Sequence, residues 1–196
     1  MKKNKFLIII LTALLCLSLT ACGSSKKEEL PTAPEASFAA GDIQAKTFEK
    51  FSVQYPASWT VTTDADPASA EPNSVFFSAS APSASGMTTN INIAYSGEAQ
   101  SFSARDIMAD HDPSKIINDL QAQLGATITL ESQTAYNYKG IEGVEYAFSC
   151  TYNSIPVKLI QIIFVSDKKA YVMSAAIINS QEQQDAEAVL HSLSAK

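Results

Sequence analysis

Alternating apolar and polar positions mark out much of this 196-residue chain. Phe51, Val53 and Tyr55 alternate with Ser52 and Gln54, the two-residue period of a half-buried strand, and Pro56 stops the ladder because it has no N–H. Further strands are predicted at 59–62, 75–79 and 90–95, the last with Ile91, Ile93 and Tyr95 on one face. Residues 64–73, Asp-Ala-Asp-Pro-Ala-Ser-Ala-Glu-Pro-Asn, read as a loop, and 82–86 as a turn. The period then changes. Ser103 followed by Asp106 has the spacing of a cap for a short helix. Asp112 before Pro113 caps a second, in which Ile116, Ile117, Leu120 and Leu124 form one stripe closed by Gly125. Four strands follow in meander order at 127–138, 141–152, 155–165 and 170–178. Lys139-Gly140, Asn153-Ser154 and Asp167-Lys168-Lys169 join them, lengths that suit antiparallel hairpins. Ser180, with Gln183 three residues later, opens a last helix that turns Val189, Leu190 and Leu193 inward.

The elements predict an α+β domain, an antiparallel β-sheet with helices packed on it. The 155–165 strand is apolar on both parities, which places it centrally with helices covering both sides.

The N-terminus follows different rules. Three lysines within the first five residues precede a nearly unbroken apolar run, 6–19, the order of a signal peptide. Fourteen helical residues span roughly 21 Å, short of the roughly 30 Å of a hydrocarbon core. Leu19-Thr20-Ala21-Cys22 resembles the lipobox of bacterial lipoproteins. That resemblance implies a diacylglycerol on the Cys22 thiol, cleavage just before it, and a domain held on the extracytoplasmic face of a cell membrane. Only a thiol is nucleophilic enough near neutral pH to form the thioether, and two acyl chains anchor stably where one is marginal. The expected organisation is a signal peptide at 1–21, a lipidated N-terminus and flexible linker at 22–41, and one domain at 42–196. The linker, with Leu30 and Phe38 as its only large apolar side chains, carries too little apolar surface to offset ordering entropy. As a coil it would reach on the order of 25 Å.

Charge narrows the partners. Loss of residues 1–21, with three lysines and no acid, takes the formal charge from −6 to −9. No basic stripe exists, which excludes nucleic acid as the main partner. Cys16 leaves with the signal and Cys22 carries lipid, so Cys150 has no partner in the chain.

With the strands in place, the segment Phe51-Ser52-Val53-Gln54-Tyr55-Pro56-Ala57-Ser58-Trp59 resembles the aromatic-x-hydrophobic-x-Tyr-Pro-x-x-Trp opening of PsbP-like domains, which include bacterial DcrB-like lipoproteins. The middle helix, the Lys139-Gly140 hairpin, the meander and the closing helix fit the same plan over 48–193. The resemblance implies a fold more than an activity. Its members are mostly non-enzymatic accessory proteins, and no residue-level match carries over a metal, cofactor or protein-binding site.

Candidate chemistry is sparse. Asp106, Asp110, His111 and Asp112 offer oxygen and imidazole ligands, but consecutive helical positions diverge by about 100°, and capping accounts for the acids. Asp64-Ala65-Asp66 begins like a calcium loop, yet Ser69 stands where an EF-hand needs Gly. No serine lies in a Gly-x-Ser-x-Gly elbow, and nucleophilic catalysis would need His111 or His191. Cys150 shares parity with Val144, Tyr146, Phe148 and Tyr152, the position of a buried structural thiol. Tyr136, Tyr138, Tyr146 and Tyr152 offer a groove for a peptide or glycan, set against the commoner reading of tyrosines packed on the sheet with a wet hydroxyl. Cys22 is thus the one assigned site, with no catalytic, metal or cofactor residues. The favoured role is a non-enzymatic binding or assembly module meeting an envelope protein or surface polymer. The alternatives are a ligand-binding accessory lipoprotein for transport and, more remotely, a hydrolase.

Overall fold

The computed structural model describes residues 29–64, 74–80, 86–99, 103–110 and 112–196. Among these residues, ten strands and three α-helices run in the order β1 (Ile43–Thr47), β2 (Phe51–Pro56), β3 (Thr60–Asp64), β4 (Ser74–Ser78), β5 (Asn90–Glu98), α1 (Ala104–Asp110), α2 (Pro113–Leu124), β6 (Ile128–Tyr138), β7 (Ile141–Tyr152), β8 (Ile155–Ser166), β9 (Lys169–Ile177), α3 (Gln183–His191) and β10 (Ser194–Ala195). The strands divide into a seven-stranded antiparallel sheet, ordered β3-β4-β5-β9-β8-β7-β6, and a three-stranded sheet, β1-β2-β10.

The α+β class expected from the sequence is the one observed, with a second sheet added. β1 has four exposed positions and one half-buried, so it carries no alternation to find, and it forms by pairing Ile43 with Pro56 through Thr47 with Ser52. β10 is two residues long and closes the small sheet on the other side of β2.

The meander forms through tight turns. Lys139 and Gly140, Asn153 and Ser154, and Asp167 and Lys168 all take positive φ, the pattern of type I′ turns whose twist matches that of the flanking strands. The third turn is two residues long because Lys169 joins β9 and pairs with Ser166.

Two cores sit on opposite faces of the large sheet. On one, α3 packs against β2 and β9, and Phe51, Val53, Trp59, Ile162, Phe164 and Val189 are buried together. On the other, α1 and α2 lie over β6 and β7, enclosing Ile107, Ile116, Leu120, Tyr146, Phe148 and Leu159. β8 contributes to both, as its two-sided apolar pattern predicts. Cys150 is buried and free in the second core, where burial pushes its thiol pKa up and disfavours the reactive thiolate.

A row of polar side chains crosses that second face. Gln133, Tyr146, Gln161, Ser174 and Asn92 are successive cross-strand partners on five neighbouring strands. Gln133 Nε2 donates to Tyr146 Oη at 3.4 Å, and Gln161 Nε2 to Ser174 Oγ at 3.3 Å. Burial pushes the Tyr146 phenol up to about 12.

Candidate functional site

Asp106 and Asp112 are the helix caps that their spacing predicts. Asp106 Oδ2 accepts from the N–H and hydroxyl of Ser103 at 3.0 and 2.8 Å, and Asp112 Oδ1 accepts from the N–H of Ser114 at 2.8 Å. Both carboxyls are held below their ordinary value by these hydrogen bonds. His111, Asp66 and Cys22 lie outside the described residues. The last helix begins differently from expectation: Asn179, not Ser180, supplies the cap, accepting from the N–H of Gln181 at 3.0 Å ahead of a short 3₁₀ turn.

A shared tyrosine groove is ruled out by parity. Tyr136 and Tyr138 lie on the α3 face, whereas Tyr146 and Tyr152 lie on the α1 and α2 face. Tyr138 is fully buried, its ring edge-on to Tyr136 with centroids 6.0 Å apart. Gly143 makes room for it, since a Cβ there would stand 3.1 Å from Tyr138 Cε2.

What the α3 face assembles is a carboxylate shared by two partners. Glu145 Oε2 accepts from Tyr138 Oη at 3.1 Å and lies 3.1 Å from His191 Nε2. A carboxylate oxygen accepts, so Nε2 is the donor in this contact. The His191 and Glu145 side chains are only 12% and 14% exposed. Burial first, then the Glu145 charge and hydrogen bond, push the Tyr138 phenol far above its ordinary value, so it remains a donor. The signal for this arrangement was present in β7. Glu145 occupies the same parity as Ile141 and Ala147, a charged residue at a core-facing position, and such a residue needs partners.

Removing the carboxylate tests the arrangement. Glu145→Ala is expected to cost about 1–3 kcal/mol by leaving the Tyr138 hydroxyl without an acceptor. Adding Tyr138→Phe should recover part of that loss in denaturant titrations, because it removes the orphaned group. Equal stability of the single and double variants would show that the hydroxyl is satisfied elsewhere.

His191 also lines a groove of about 480 Å³ between α3 and the chain that precedes β1, together with Pro34, Glu35, Ser37, Gln184 and Glu187. Glu187 Oε1 accepts from Lys158 Nζ at 2.7 Å and from Gln183 Nε2 at 2.8 Å. Burial raises the Glu187 pKa, but the hydrogen bonds and the Lys158 charge outweigh it and leave the carboxyl below 4.5. The pair therefore contributes fully above that ordinary value, and its contribution disappears as pH falls through the lower, folded value. Both side chains are partly exposed, so the stabilisation is at most about 1 kcal/mol. The stability gap between the native protein and Glu187→Gln should be present at pH 7 and close below about pH 4.5. A gap unchanged at pH 3 would contradict the pairing.

The far wall of the groove comes from the segment expected as a linker. Within 22–41, the described residues 29–41 run along the domain as a strap. The Ala33 N–H donates to the Asn137 carbonyl at 3.0 Å, and the Asn137 N–H to the Pro31 carbonyl at 2.9 Å, forming a parallel bridge on edge strand β6. The Ala39 N–H donates to Asp185 Oδ1 at 2.8 Å, and Gln184 Nε2 to the Ser37 carbonyl at 3.1 Å. Ala33 is buried and Phe38 packs on the core. The segment has few apolar side chains, as the sequence says, but its grip comes mainly from backbone groups meeting an open sheet edge and polar α3 side chains.

As a chemical device, the site holds an oriented imidazole beside an open polar groove. Glu145 is the one hydrogen-bond partner of the imidazole among the described residues, with no hydroxyl or thiol joined to it. Among those residues, no helix is long and apolar enough to cross a membrane.

No family model matches the sequence, and no curated protein matches it. The fold has relatives among solved structures. The cyanobacterial PsbP (CyanoP) of Synechocystis sp. PCC 6803 superposes with a TM-score of 0.54 at 12% identity, over 91% of this chain and 99% of that one. LpqN of Mycobacterium tuberculosis, described as involved in cell envelope biogenesis, gives 0.48 at 13% identity over 79% and 91% of the two chains. A Bacteroides thetaiotaomicron protein gives 0.49 at 14% identity, covering 80% of this chain and 48% of that one. The chain therefore has a PsbP-like α+β fold, the architecture that the Phe51 to Trp59 resemblance implied.

Proposed function

We propose that this protein is a lipid-anchored, extracytoplasmic module that acts by contact, engaging another envelope protein or a surface polymer rather than turning over a substrate. The observation that carries the reading is the state of the groove's titratable groups. Glu187 is committed to Lys158, and His191 to the Glu145 carboxylate that also holds Tyr138, and among the described residues no hydroxyl or thiol is joined to the imidazole, which favours a binding surface over nucleophilic catalysis. The lipobox-like Leu19-Thr20-Ala21-Cys22 supplies the location, and the strap leads from that end of the chain to the groove. A PsbP-like fold is compatible with this role without specifying it.

Crosslinking in intact cells followed by mass spectrometry tests the proposal. A reproducible envelope partner whose crosslinks map beside α3 or the strap is the expected result. Turnover of a substrate by the purified protein, abolished by His191→Ala without unfolding, would replace contact with catalysis.

A further inference from the structure

We propose that residues 31–39 are the resident occupant of a peptide track running from the β6 edge to α3, and that an extended segment of a partner protein takes this track when the strap leaves. The proposal rests on the contact reading above and specifies its surface and the chemistry of its partner.

The track grips the strap at three places. Asn137 exchanges two backbone hydrogen bonds with Pro31 and Ala33, the parallel strand addition by which a sheet edge receives a peptide whatever its side chains. Ala33 then fills a buried position, and five residues later Phe38 packs on the same core. Finally, Gln184 and Asp185 of α3 hold the Ser37 carbonyl and the Ala39 N–H. All four of these hydrogen bonds engage the strap's backbone. Side-chain selection is left to a small residue followed, five positions on, by an aromatic one.

The attachment also has the character of a removable occupant. A single bridge joins the strap to β6, whereas β6 and β7 pair from Ile128 and Cys150 to Tyr138 and Ile141 with one bulge between Leu130 and Ser132. Both α3 bonds are exposed to water, where exchange with solvent is easy. Between the grips, Pro34, Glu35 and Ser37 face the groove, so the strap leaves space beside α3 unfilled. Since the strap is continuous with the chain carrying Cys22, a partner that displaces it also lengthens the tether, by up to about 30 Å for nine extended residues. Partner binding and reach from the membrane are thereby linked.

Fluorescence anisotropy of a labelled peptide with the sequence of residues 29–41, added to the purified full-length protein in detergent, tests the track. Ala33→Glu places a charge in the buried position and should expel the chain's own strap. It should bind the peptide about tenfold or more tightly than the native chain, in which the occupied track lowers the apparent affinity. A Ser37→Cys/Gln184→Cys chain, joined by a short dithiol-reactive crosslinker that spares buried Cys150, should not bind it. Equal binding by the Ala33→Glu and native chains, or undiminished binding by the crosslinked chain, would overturn the proposal. So would loss of the native circular dichroism spectrum in Ala33→Glu, since the strap would then be integral to the fold. If peptide binding fails while in-cell crosslinking still captures one partner with both chains, the track falls and the contact reading stands.

Discussion

Phe51→Ala is expected to destabilise the protein by about 3–5 kcal/mol, the usual cost of emptying a buried aromatic site. Phe51 is 1% exposed and sits where the two sheets meet. From β2 its ring stacks on Phe48 at 4.3 Å and stands edge-on to Phe164 of β8 at 5.2 Å and to Tyr171 of β9 at 5.0 Å. Truncation removes apolar burial and three ring contacts together, and the space cannot collapse without moving one sheet on the other. Phe51→Leu keeps much of the volume and should cost far less. Guanidinium titrations give both values. A loss below about 1 kcal/mol for Phe51→Ala would mean that the small sheet is not clamped through this residue.

The second large effect concerns location. Cys22→Ser should abolish lipid attachment and shift the protein from the detergent phase to the aqueous phase, or leave an uncleaved precursor. A serine hydroxyl is too weak a nucleophile to replace the thiolate in thioether formation. Two acyl chains on Cys22, at about 0.8 kcal/mol per buried CH₂, would give stable anchoring, so the change in partitioning should be large. Phase separation and intact mass of the native and variant proteins provide the measurement. Native-like mass and detergent partitioning in Cys22→Ser would refute lipidation at this residue. Unlike Phe51→Ala, this substitution should leave the stability of the folded domain unchanged.

Some properties are set locally, and these were legible in the amino-acid order. Periodicity of two placed the four meander strands within a residue or two, because each buries one or both faces and its side chains must alternate accordingly. Asp106 and Asp112 were readable as caps because a cap bonds within three residues of itself. Parity alone placed Cys150 inside. Other properties depend on residues far apart in the chain. β1 and β10 have no pattern of their own and exist because β2 offers two edges. The polar row from Gln133 to Asn92 follows from the registers of four strand pairs, which no single segment contains. Glu145 reaches His191 across 46 positions, and the strap reaches α3 across 146, contacts made by the packing of α3 against the sheet. Composition correctly described residues 29–41 as poor in apolar side chains but could not anticipate their docking, because a segment bound through its backbone leaves little trace in its side chains.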